Sequence, residues 1–303
     1  MTFETDSGSV NAVDDVSFSL QKGEILGIAG ESGSGKSTIA SSILGLVHPV
    51  SGRILFDNRN LLSLSEKEMD EIRGCHISLI GQDPSSSLNP FRRIAPQITD
   101  VLRAHRKMKK SEAEEKAIEM LSRAGMQVPE KVMKTYPHQL SGGMKQRVMI
   151  AMALSQGAEI LIADEPTSSL DVTIQAQIIT LLKKLNKEFG TSIIFISHNL
   201  EVLETLADRI IIMYSGRIAE IANTETLFST PLHPYTEALL AASPKPFKVP
   251  KPISGIMERN KGDVKGCLFS ARCPRKTEKC ILEKPPLAKL GERYLACWEA
   301  KDE

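Results

Sequence analysis

The chain has 303 residues, 41% hydrophobic and 25% charged, with 38 Lys/Arg against 37 Asp/Glu and a net charge of +1. That length supports one large α/β domain plus a smaller unit, and so even a charge balance gives no global field to draw nucleic acid. The first six residues are polar and acidic, so no secretory signal is expected, and apolar runs such as 210–213 are far too short to span a bilayer.

In chain order, residues 12–20 alternate in part and predict a strand with one wet face, and residues 21–24 predict a turn. The apolar run 25–29 leads into Gly30, Glu31, Ser32, Gly33, Ser34, Gly35, Lys36 and Ser37, a full match to G-x-x-x-x-G-K-[ST]. Residues 37–46 follow as a predicted helix, giving the strand, loop, helix order that a phosphate-binding loop requires. Backbone N–H groups from Gly33 to Ser37 can nest the charges of a nucleotide's phosphates at the positive end of that helix. Lys36 is expected to reach the β and γ phosphates and Ser37 to offer its hydroxyl to Mg²⁺, with Thr38 in the same phosphate-contacting set.

Residues 47–81 read as short strands around a charged helix at 65–73, the last strand being 77–80. Residues 94–156 read as mostly helical. Within them Ala113, Ala117, Ile118, Leu121 and Ala124 recur at helical spacing, and Ser111 with Glu114 fits a capping box. Strands are predicted at 160–163 and 192–196, joined by a helix at 172–189, the crossover of an open parallel sheet. Ligands sit beyond the carboxyl ends of such strands. Asp164 is therefore placed to bind Mg²⁺ through water and Glu165 to polarise the attacking water. Gln82 follows strand 77–80 and can ligate Mg²⁺ or sense the γ phosphate. His198 can contact the γ phosphate or hold the water in line. Proline-rich sequence at 231–252 marks a boundary.

Leu140, Ser141, Gly142, Gly143, Met144, Lys145 and Gln146 resemble the signature motif of the ATP-binding-cassette ATPases. Gln82 matches their Q-loop glutamine, Ser169, Leu170 and Asp171 their D-loop, and His198 their switch histidine, in the family's order. The resemblance covers residues 1–240. It implies an α/β, P-loop-type nucleotide-binding domain with an antiparallel β subdomain and a helical insertion at about 92–156. It also implies two such domains sandwiching two ATP molecules, so that Ser141, Gly142 and Gly143 bind the γ phosphate held by the opposite subunit's Lys36. A helix start there suits an anion. An aromatic that stacks on adenine is usual near the N-terminus of the family, and Phe3 is the candidate.

Three segments narrow the resemblance: Gln82, Asp83 and Pro84 with residues 87–90; residues 163–167 with 170–177; and residues 231–236. They are similar to the ATPase subunits of bacterial dipeptide/oligopeptide importers, a group shared with nickel importers. The implied function is ATP hydrolysis that powers peptide import from the cytoplasmic face of the membrane. The implied partners are a second ATPase subunit of different sequence, two transmembrane permease subunits and an extracytoplasmic solute-binding protein, with no nucleic acid. A nickel or other small-solute importer is one alternative, and a soluble switch ATPase of repair or translation another; the chain lacks the coiled-coil insertion or second cassette usual in the latter. Asn199 replaces a usual Asp after the histidine, and Ser168 a common Thr.

Residues 241–303 form a small cysteine-rich extension with Cys267, Cys273, Cys280 and Cys297. Between residues 244 and 303 there are fourteen Lys/Arg against eight Asp/Glu. The cysteine spacings are wider than structural zinc sites favour and suit a [4Fe-4S] cluster, which some peptide-importer ATPases carry in similar tails. Zinc, unliganded thiols and disulfides are the alternatives. Arg272, Arg275, Lys276 and Lys279 would offset thiolate charge, and metal would supply folding energy to a tail poor in apolar residues. Cys75 is expected to be a small buried residue.

Overall fold

A computed structural model describes residues 1–5, 8–244, 250–257, 260–262 and 264–299. Part of the proline-rich boundary expected at 231–252 lies outside the described residues. In chain order the elements are β1 (Thr2–Thr5), β2 (Gly8–Asn11), β3 (Ile25–Ala29), α1 (Lys36–Ile43), β4 (Leu55–Phe56), β5 (Arg59–Asn60), α2 (Glu66–Ile72), β6 (Ile77–Ile80) and α3 (Pro84–Ser87). Next come α4 (Ile94–Ala104), α5 (Lys110–Arg123), α6 (Pro129–Met133), α7 (Gly142–Leu154), β7 (Ile160–Asp164), α8 (Val172–Phe189), β8 (Ser192–Ile196) and α9 (Leu200–Leu206). The chain closes with β9 (Arg209–Tyr214), β10 (Arg217–Asn223), α10 (Thr224–Ser229), α11 (Pro234–Ala242), α12 (Glu278–Leu282), β11 (Ala288–Leu290) and β12 (Arg293–Leu295).

These elements fall into two compact units. The first comprises Met1–Ser19, Leu26–Leu62 and Ile196–Glu303. Its main strands run in the order β11-β12-β10-β9-β3. β3 is parallel to β9, with Leu26 opposite Arg209 and Ala29 opposite Ile212, whereas β9, β10, β12 and β11 pair antiparallel. Leu26, Ile28 and Ile210 through Met213 are all buried, as expected of strands covered on both faces.

The second unit comprises Leu20–Ile25 and Ser63–Phe195. Its strands run β8-β7-β6, with β6 and β7 parallel and Ile80 opposite Ala163. Leu161, Ile162, Ala163, Ile193, Ile194 and Phe195 are buried, and α8 buries Ile178, Leu182 and Leu185. Each such large aliphatic side chain contributes roughly 1.5–3 kcal/mol.

Several local expectations shift. Residues 12–20 form no strand; Asp15 takes φ +52°, and Asp14 N–H bonds the Gly216 carbonyl at 2.8 Å, so this stretch is irregular chain laid across a turn. Pairing falls instead on the polar residues before it, with Phe3 opposite Val10 in the β1–β2 hairpin. α5 starts two residues earlier than the Ser111 capping box predicted, with Lys109 at the N-cap: the Glu112 carboxylate accepts the Lys109 N–H at 3.0 Å. The box forms instead at α2, where Ser65 caps and Glu68 answers.

Candidate nucleotide site

β3 delivers the phosphate loop. Gly35 takes φ +100° at the N-cap of α1, a conformation that L side chains resist. A Cβ on Gly35 would stand 2.1 Å from the Ala12 carbonyl oxygen, so the position has neither the torsion nor the room for any other residue. Lys36 is 5% exposed and folds back along the loop, its Nζ donating to the Gly30 carbonyl at 2.8 Å and the Glu31 carbonyl at 2.9 Å. Ser34 is buried beside it, and Ser32, Gly33 and Ser37 are exposed. The cradle therefore opens outward while its lysine is held from within.

His198 belongs to the same unit. Ser197 donates its backbone N–H to the Ile28 carbonyl at 3.1 Å, which sets the exposed His198 beside the strand that feeds the loop. Asn199, the departure from the family pattern, accepts the Glu201 N–H at 3.0 Å and caps α9, a task Asn performs as well as Asp. Phe3 is 40% exposed.

The second unit gathers the acids. The parallel register of β6 and β7 sets Gln82 and Glu165 beyond neighbouring strand ends, and the Gln82 amide donates to the Glu165 carboxylate at 3.4 Å. Asp164 closes β7. Ser141 caps α7, its Oγ accepting the Met144 N–H at 3.3 Å, and Asp171 caps α8, accepting the Ile174 N–H at 3.0 Å. Ser141 and Gly142 are exposed, whereas Gly143 is buried; a Cβ there would meet Ile174 Cγ2 at 2.6 Å. Small residues thus let α7 approach α8 while the first turn of α7 faces out. The oxygen donors of Ser37, Gln82 and Asp164 are of the kind Mg²⁺ selects.

The cysteine expectation is overturned. Among the described residues no group of three or more His, Cys, Asp or Glu side chains is arranged to hold a metal ion, so neither an iron-sulfur cluster nor zinc is assigned. Cys267, Cys273, Cys280 and Cys297 are free thiols lining a small pocket with Phe269 and Trp298. Burial pushes the Cys267 thiol up to about 11 and raises Cys273 and Cys297, which favours neutral thiols. The nearby cations have other partners: Arg272 pairs Glu31 at 2.7 Å, Arg275 pairs Glu237 at 2.6 Å, and Lys279 Nζ lies 3.6 Å over the Trp298 ring. Nor does the tail lack packing of its own. Phe269 and Leu295 are buried, and β12 extends the sheet beside β10. Cys75 is half-buried rather than buried, with its thiol also raised by desolvation.

Sequence reasoning gave Tyr235 no role of its own and set Arg272 against the cysteines rather than against Glu31. Tyr235 Oη accepts the Glu31 N–H at 3.0 Å, and Arg272 grips the Glu31 carboxylate. The basic excess of the tail was the only signal, and it did not name a partner.

Residues 13–168 match the family model described as ABC transporter, and residues 219–280 match the model described as oligopeptide/dipeptide transporter, C-terminal region. The chain is 46% identical over 293 residues to the oligopeptide transport ATP-binding protein AppD of Bacillus subtilis, covering 92% of this chain and 87% of that one. It is 45% identical to the oligopeptide transport ATP-binding protein OppD of Escherichia coli, covering 100% and 92%. Among solved structures, the dimeric ATP-binding cassette MJ0796 in a post-hydrolysis state with ADP and Pi is 32% identical, with a TM-score of 0.67 over 74% of this chain and 95% of that one. The chain thus belongs to the ATP-binding-cassette family, in its oligopeptide/dipeptide transport branch, as an ATP-hydrolysing nucleotide-binding subunit.

Proposed function

We propose that this subunit powers peptide import by hydrolysing ATP, with Gly30 through Thr38 cradling the phosphates, Lys36 neutralising them, and Glu165 polarising the water. The observation that carries the reading is the phosphate loop itself: a buried lysine folded under an outward-facing cradle at the start of α1. Mg²⁺, with Ser37, Gln82 and Asp164 as its holders, supplies charge neutralisation of the phosphates. Gln82 orients the Glu165 carboxylate. His198 holds the water or the γ phosphate, and Phe3, exposed on its hairpin, stacks on adenine.

The exposed Ser141 and Gly142, with Gly143 behind them, bind the γ phosphate held by a second ATPase subunit, and Asp171 sits in the same interface. Nucleotide then stabilises the dimer by mass action, and its hydrolysis loosens it. The dimeric state of MJ0796 supports a two-cassette arrangement. Among the described residues no helix is long and apolar enough to cross a membrane. Attachment at the cytoplasmic face therefore goes through two permease subunits, with a solute-binding protein delivering the peptide and a second ATPase chain of different sequence completing the pair. The names of the curated relatives, which cover 92–100% of this chain, support peptides as cargo.

Phosphate release from Mg-ATP by the full chain, and peptide uptake by vesicles holding the assembled transporter, test the reading. Lys36→Ala is expected to weaken nucleotide binding and abolish uptake. Uptake that persists in this variant overturns the assignment.

A further inference from the structure

The C-terminal extension meets the phosphate loop chiefly at Glu31, which is gripped by Arg272 of the extension and by Tyr235 of α11. The Glu31 carboxylate receives Arg272 Nη1 at 2.7 Å and Nη2 at 3.2 Å, the two-pronged geometry that makes Arg–carboxylate pairs strong. The Arg272 side chain is 4% exposed and that of Glu31 30%. Two further donors are engaged: Nε gives its proton to the Ser254 carbonyl at 2.8 Å, and Nη1 also donates to Tyr214 Oη at 3.4 Å. The guanidinium carbon lies 5.8 Å from the centre of the Tyr214 ring and 6.0 Å from that of Phe269. Tyr235, fully buried, meets the same residue from the backbone side, accepting the Glu31 N–H. Tyr214, Tyr235 and Phe269 pack on one another with ring centroids 4.6–5.3 Å apart.

Glu31 has a third contact, and it leads to the chemistry. Its carbonyl oxygen accepts Lys36 Nζ at 2.9 Å. The peptide that anchors the phosphate-binding lysine is thus oriented by a side chain 241 positions away. Nearby, a Cβ on Gly33 would touch Met257 Cε at 3.6 Å, so the extension reaches the loop a second time.

We propose that Arg272 is a positioning residue for nucleotide binding: through the Glu31 carboxylate it sets the Glu31 peptide, and through that peptide the position from which Lys36 reaches the phosphates. The extension is then part of the ATP site's support. Any partner or modification that draws residues 254–272 away lowers nucleotide affinity. The inference rests on the ATPase reading above.

The test uses the full-length chain, with Mg-ATP binding, steady-state hydrolysis and melting temperature measured on wild type, Arg272→Gln, Arg272→Lys, Glu31→Gln and the double variant Arg272→Gln/Glu31→Gln. Arg272→Gln is expected to raise both Kd and KM for Mg-ATP by about tenfold, a coupling of about 1.4 kcal/mol, with kcat within about threefold. Arg272→Lys restores part of the affinity, because it keeps the charge but not the fork. The double variant is no weaker than the weaker single variant, as expected for two residues acting through one contact. Glu31→Gln leaves Arg272 in its packing, so it reports even where Arg272→Gln folds poorly. Unchanged Kd in Glu31→Gln, or losses that simply add in the double variant, overturn the proposal. A wild-type chain that binds no Mg-ATP overturns instead the functional reading beneath it.

Discussion

Gln82 reaches the Glu165 carboxylate at 3.4 Å across the ends of two adjacent parallel strands. Glu165 itself takes φ +47°, a left-handed conformation uncommon for a non-glycine residue and concentrated where function demands it. The backbone turns sharply as it leaves β7, and the glutamine steadies the side chain after the turn. A carboxylate fixed in this way can polarise a water without first losing its own freedom.

Glu165→Gln separates binding from chemistry. The amide keeps the shape and tolerates the same backbone, but it cannot accept a proton. ATP binding is expected to persist while kcat falls at least ~100-fold, the lower end of a general-base contribution. Single-turnover phosphate release beside equilibrium nucleotide binding checks both. Near-normal turnover removes Glu165 from the role. Gln82→Ala is expected to lower kcat more modestly, since it removes the orienting donor and leaves the base.

The elements around the phosphate loop were legible because local chemistry dictates them. Residues 25–29 are uniformly apolar and become a buried strand, and the glycines that follow admit only a turn into a helix. α8 occupies the 172–189 span expected of the helix linking the two strands, and Asp171 caps it. What the sequence hid is non-local. The alternation at 12–20 is real, yet Asp14 bonds Gly216, some two hundred residues away, and the strand is lost. The tail reads as too polar to fold without metal because its packing partners lie elsewhere in the chain: Tyr214 and Tyr235 for Phe269, Glu220 and Ile221 for β12. Arg272 and Glu31 carry no pattern that pairs them; only the fold brings them together.

The junction ahead of α11 carries a pH dependence. His233 is 3% exposed and its Nδ1 accepts the Tyr235 N–H at 3.0 Å, a bond that needs the neutral ring. Burial, aided by the positive charge of Arg275 and opposed by the Ala296 carbonyl, lowers its pKa to about 4. Between that value and the ordinary histidine range near 6.5 the unfolded chain binds a proton that the folded chain does not. Stability is therefore full above about pH 6.5 and falls as pH drops toward 4, by about 3 kcal/mol in total. Denaturant melts across that window check the slope. His233→Asn, which keeps an N-cap acceptor but does not titrate, is expected to flatten this component.

Gln146, the last of the signature residues, lies fully buried in α7, and among the described residues neither atom of its amide has a hydrogen-bond partner. An amide in that position costs roughly 1–3 kcal/mol of desolvation that nothing returns, whereas an apolar side chain of similar length would cost nothing of the kind. Gln146→Met is accordingly expected to stabilise the isolated subunit by about 1–2 kcal/mol, read as a higher denaturation midpoint at unchanged m-value. A buried polar group left unsatisfied calls for an explanation, a role in turnover being one, and stabilising substitutions at such sites recurrently cost activity. The same variant is therefore expected to lose ATPase activity while gaining stability. A variant that is both more stable and fully active would show that the amide serves neither folding nor turnover, and a variant of unchanged midpoint would show that buried water already satisfies it.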